Sequence, residues 1–181
     1  AGPDPDEIEA ALDAILSAKF PVIVCGGGIV LSGGEVEFRT LVDALDIAVA
    51  TTVSGQGSLA ETHPNNVGVV GSNGGVDATR DLVLLADLVV FIGCRAGSVT
   101  TERWRVPTKS TRVVHIDSDP EVISASYKTE VGVVSDARLA LATMNRALAA
   151  RERKPSGFDG ASAVAKARKI KWDAFQPLAD S

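Results

Sequence analysis

Six short apolar segments, each followed by glycines, threonines or aspartates, constrain what this chain can fold into more than any other feature. The clearest is Val22-Ile23-Val24-Cys25 running straight into Gly26-Gly27-Gly28, the pattern of a strand buried on both faces of a parallel sheet. Residues 47–50, 67–70, 88–92, 112–116 and 131–134 repeat the pattern. Helical spacing fills the gaps between them. Asp4-Pro5-Asp6-Glu7 supplies a capping acid, a proline at the first helical position and further acids, and Ile8, Ala11, Leu12, Ile15 and Leu16 then recur on one face until Pro21 stops the helix. Val36, Leu41, Val42 and Leu45 mark a second helix over 35–45, and a third covers 76–86. After Asp136, residues Leu139, Leu141, Ala142, Met144 and Leu148 mark a fourth. Residues 51–66 are polar and rich in Gly, Pro and Asn, a long loop of the kind that usually serves function. This alternation predicts an α/β fold with a parallel sheet covered by helices on both faces and wound by right-handed crossovers. Ligands of such sheets sit outside the carboxyl ends of the strands.

Composition bounds the reading. The 181 residues allow one domain and a tail, with 1–149 as the sheet domain and 150–181 as a charged linker followed by a helix over about 162–175. Aromatic residues make up only 4%, so the core must be aliphatic. The net charge of −5 argues against a nucleic-acid surface, although the last 31 residues carry seven basic and four acidic side chains. The longest apolar run, 82–93, is interrupted by Asp87 and is too short to span a bilayer, and the acidic start is unlike a secretory signal. Cys25 and Cys94 stand in no metal-ligand spacing and read as small buried residues, so a cytoplasmic location with no membrane partner is expected.

The strand ends deliver the groups a nucleotide needs: Gly26-Gly27-Gly28, Thr51-Thr52, Gly71-Ser72-Asn73-Gly74, Gly93-Cys94-Arg95, Asp117-Ser118-Asp119 and Ser135-Asp136. Glycines admit a phosphate to the backbone, Arg pairs with phosphate oxygens, and carboxylates accept from ribose hydroxyls. The ordinary dinucleotide fingerprint is nevertheless broken, because Leu31 occupies the third glycine position and the second strand ends without an acid. No phosphate-loop lysine motif is present either. His63 lies in the long loop and His115 inside a strand, where it reads as a hydrogen-bonded core residue. No catalytic residue and no metal ligand is assigned.

In order and spacing, several strings resemble the central domain of thiamine-diphosphate-dependent enzymes of the acetohydroxyacid synthase, benzoylformate decarboxylase and oxalyl-CoA decarboxylase type. They are the residues 18–28, Thr52-Val-Ser-Gly-Gln-Gly57, Glu61-x-His63-Pro64, Gly68-x-x-Gly71, Ala86-Asp87-Leu88, Gly93-x-Arg95, His115-Ile-Asp117-x-Asp119-Pro120 and Asp136-Ala137. The resemblance implies a six-stranded doubly wound, Rossmann-like sheet of strand order 3-2-1-4-5-6. It also implies a non-catalytic role in a lyase or transferase, between a pyrimidine-binding domain and a diphosphate-binding domain that hold thiamine diphosphate and Mg2+, in a homo-oligomer. In this family the central domain takes FAD, ADP or nothing. Carried onto this sequence, the cofactor contacts would be Gly26, Gly27, Gly28, Thr52, Gly71, Asn73, Gly74, Arg95, Asp117 and Asp136. Gln56 stands where many members have Lys, Ala60 where they have Pro, and residues 96–101 lack the Phe-Asp-Asp frequent in FAD users. An autonomous nucleotide- or flavin-binding module is the alternative.

Overall fold

The computed structural model describes residues 2–151 and 157–179. The elements follow one another as α1 (Pro5–Ser17), β1 (Pro21–Cys25), α2 (Gly28–Ser32), α3 (Glu35–Leu45), β2 (Ala48–Thr51), β3 (Asn66–Val69), α4 (Asp77–Leu84), β4 (Leu88–Ile92), β5 (Arg112–Asp117), β6 (Val131–Val134), α5 (Ala137–Ala150) and α6 (Gly160–Ala179). All strands pair in parallel in one sheet, in the order β3-β2-β1-β4-β5-β6. This is the doubly wound sheet that the strand pattern implies. Crossing from β3 back to β4 on the far side of β1 puts a topological switch between β1 and β4, where their following loops diverge.

Alternation along each strand sends neighbouring side chains to opposite faces, and two cores result. One gathers Ile23, Cys25, Val49, Val90, Ile92, Val114 and Ile116 beneath α1, α3 and α5. The other gathers Val22, Val24, Ala48, Ala50, Val89 and Phe91 beneath α4 and α6. Asp4 caps α1 through the Asp6 amide at 2.8 Å, as expected of its position.

Two helix faces differ in detail from the spacing. In α3 the buried set is Phe38, Leu41, Val42 and Leu45, while Val36 is 75% exposed. Position 36 stands two residues, or about 200°, from position 38 and so points away from the sheet. In α5, Ala137, Ala140, Leu141, Met144 and Leu148 face inward and Leu139 faces outward for the same reason. The single turn α2 has no counterpart in the periodicity, being too short to show one. Of the expected linker, residues 152–156, with Glu152, Arg153 and Lys154, lie outside the described residues, as does Asp180. Among the described residues no helix is long and apolar enough to cross a membrane.

Candidate functional site

Gly26, Gly27 and Gly28 form the turn from β1 into α2, and Gly93 forms the matching turn after β4. The two turns are in backbone contact. Gly26 N donates to Ile92 O at 2.9 Å and Gly28 N to Gly93 O at 3.1 Å. A Cβ on Gly26 would lie 2.2 Å from Gly93 O, and one on Gly28 would lie 2.6 Å from Gly93 Cα. Two of the three glycine N–H groups are therefore committed to the fold, and only that of Gly27 takes part in neither bond.

A groove of about 500 Å³ opens over these turns, lined by Gly26, Gly27, Gly28, Thr52 and Arg95 with the apolar Leu31, Val53 and Val99. Past Gly28, Leu31, Gly93 and Arg95 it continues into a second lobe of about 300 Å³ bearing Asp117, Asp119 and Asp136. Arg95 belongs to both lobes, is exposed, and forms no ion pair among the described residues. The acids do local work: Asp117 accepts from Asp119 N at 3.0 Å, and Asp136 caps α5 through Leu139 N at 3.1 Å. Thr52 Oγ1 accepts from Gly55 N at 3.0 Å and holds the turn at Val53–Gly55.

Seven of the ten residues carried over from the resemblance thus share one groove. The other three follow β3. Gly71, with φ +112°, packs beneath the groove wall, a Cβ there falling 2.4 Å from Val99 O. Gly74 faces a separate recess, and Asn73 is exposed and lines neither lobe. Leu31, 90% exposed between the lobes, is the residue whose role sequence spacing missed. A helix as short as α2 gives no periodic signal for it; in the structure Ile29 is buried and Leu31, two residues on, points out.

Potential reactive groups are disarmed. Burial pushes the Cys25 thiol up to about 12 and the Cys94 thiol up to about 11, so neither supplies a thiolate at neutral pH. His115 Nε2 donates to Cys94 O at 2.8 Å, and burial holds its pKa below the ordinary value. His63 accepts Asn65 N at Nδ1 and gives Nε2–H to Asp43 Oδ1 at 2.9 Å, tying the long loop to α3. No group of three or more His, Cys, Asp or Glu that could hold a metal exists among the described residues. Residues 158–160 serve the fold, since Phe158 N donates to Leu45 O, Gly160 N donates to Asp46 O, and a Cβ on Gly160 would lie 2.4 Å from Ala48 N.

Sheet order and groove together define a doubly wound α/β domain with its cleft at the topological switch and no catalytic constellation among the described residues. Residues 8–144 match the model of the thiamine pyrophosphate enzyme central domain, and the chain belongs to that family. It is 38% identical over 137 residues to a probable acetolactate synthase large subunit of Methanococcus aeolicus, covering 76% of this chain and 23% of that one. It is 31% identical to the acetolactate synthase isozyme 3 large subunit of Escherichia coli K12, covering 76% and 24%. Benzoylformate decarboxylase from Polynucleobacter necessarius shares the fold at a TM-score of 0.66, with 22% identity over 81% of this chain and 27% of that one. The chain spans about a quarter of the length of the curated relatives it matches.

Proposed function

We propose that this chain works as the non-catalytic middle unit of a longer thiamine-diphosphate-dependent lyase or carboligase of acetolactate synthase type. It connects and positions a pyrimidine-binding and a diphosphate-binding domain in a homo-oligomer, and its groove is built for a nucleotide such as ADP or the ADP half of FAD. The observation that carries the reading is the family match over 8–144 within relatives about four times longer. The donor set agrees with it. With no cluster of metal-ligating side chains among the described residues, nothing here fits a Mg2+–diphosphate group, so thiamine diphosphate and its metal would be held by other domains. Nucleotide fits better. Arg95, a cation with no ion pair among the described residues, lines both lobes of the cleft and is suited to phosphate, with Asp117 in one lobe for ribose hydroxyls and Leu31, Val53 and Val99 offering apolar surface to a flat ring.

Two measurements test this. The purified chain supplied with thiamine diphosphate and Mg2+ should show no turnover of pyruvate or benzoylformate; turnover by the chain alone would refute the division of labour. Calorimetry with ADP and FAD should give binding that Arg95→Ala weakens about tenfold or more, the scale of one charge-assisted contact. Equal binding by Arg95→Ala would remove the groove from the proposal. The autonomous-module alternative has no observation in its favour beyond the same groove.

A further inference from the structure

A second recess, of about 340 Å³, lies between α6 and the loops that flank β3 and shares no lining residue with the groove. Its polar walls are Thr51, Gln56, Glu61, Asn66, Arg168 and Lys171, with Gly57, Gly68 and Gly74 between them and an apolar side formed by Leu59 and the valines of β3 and of the turn into α4. All three glycines have positive φ, at +95°, +107° and +87°. No other atom lies within 4 Å of a Cβ built on Gly57, and only Lys171 Nζ, at 4.0 Å, approaches one on Gly68.

Two half-buried cations converge here without a carboxylate partner among the described residues. Arg168 Nη2 is fixed against the carbonyl oxygens of Glu61, His63 and Asn66 at 2.6, 2.9 and 2.6 Å, which orders the wall but leaves the guanidinium charge uncompensated by any ion pair. The Lys171 ammonium has no hydrogen-bond partner among the described residues, although the neighbouring Lys169 pairs with Asp173 at 2.6 Å. Glu61 is the single acid of the lining and is exposed. Gly68 N already donates to Asn66 Oδ1 at 2.9 Å, so the charge of a half-buried lysine with no carboxylate beside it is what suits the recess to an anion, and the volume is at the low end for a small-molecule site.

We propose that this recess binds a small phosphate-bearing anion, held by Lys171 with Arg168 as a fixed background charge, at a site distinct from the Arg95 groove. NMR titration of the chain with inorganic phosphate at constant ionic strength tests it. Saturable shifts at Gly57, Gly68 and Lys171 are expected at millimolar phosphate, weakened at least tenfold in Lys171→Ala and retained in Lys169→Ala and Arg95→Ala. Absence of saturable shifts at these residues, or undiminished affinity in Lys171→Ala, would overturn the site. Shifts that vanish in Arg95→Ala but survive in Lys171→Ala would assign the phosphate to the groove and overturn it equally. The Arg95 control separates this outcome from any failure of the nucleotide proposal.

Discussion

At the scale of single residues, the strand-end glycines have two separate causes that a sequence renders identically. Gly26 and Gly28 read as openings for a phosphate, yet their Cβ positions are filled by Gly93, so they are required by turn-on-turn packing whatever binds above. Arg95 and Asp117 stood out as candidates because each is a charged group at the end of a buried strand; the structure gives Asp117 a local role as well, accepting Asp119 N, and gives Arg95 no ion pair among the described residues. Asp136 was legible for a mixed reason, since the same carboxylate that faces the second lobe caps α5. His115 was legible as a core histidine, and its burial has a measurable consequence. Because the folded imidazole takes up a proton less readily than the ordinary value of 6.5, the unfolded chain binds more protons at and below that pH. Stability should therefore fall as pH drops through about 6.5, and in His115→Gln the denaturation midpoint should fall less over the same window. Identical pH dependence in the two proteins would show that this histidine does not contribute.

At the scale of elements, strands were more legible than helix faces. A fully buried strand is a run of apolar residues that needs no phase, whereas a helix face depends on registering each position to within a fraction of a turn. The last helix shows the difference. Its apolar residues Val164, Ile170 and Phe175 are too sparse to mark a face; the docked stripe is Gly160, Val164 and Ala167, and Ile170 and Phe175 remain 63% and 48% exposed. Small residues let α6 approach the β2 side closely, and Asp46 secures its start by accepting Ala161 N at 3.0 Å and Asn65 Nδ2 at 2.7 Å. Arg168 then fastens the helix to the loop before β3 through three carbonyls. Arg168→Ala should cost about 1 kcal/mol, the net worth of hydrogen bonds whose exposed or half-buried acceptors can turn to water. Hydrogen exchange should quicken in residues 61–66 and along α6 while β1 and β4 are unchanged. Unaltered exchange in that loop would show that the arginine is dispensable.

At the scale of the whole molecule, the sheet separates two cores that share strands but no helices, with α1, α3 and α5 on one face and α4 and α6 on the other. Fold class was readable because each apolar run and each crossover point to one covered parallel sheet, and the strand order followed from the family resemblance. The recess under α6 was not readable, because it depends on how residues far apart in sequence, Gly57, Gly68 and Lys171, meet once the last helix folds back. The mutual packing of Gly26, Gly28 and Gly93 bears on affinity as well as on shape. Loops that stiffen only when a ligand arrives lose conformational entropy in the binding step, and that loss weakens the complex. Here the floor of the cleft is already fixed by backbone bonds between the turns after β1 and β4, so its share of that entropy is surrendered during folding. Ligands entering the cleft should consequently order the walls, where Val53 and Val99 are exposed, far more than the base.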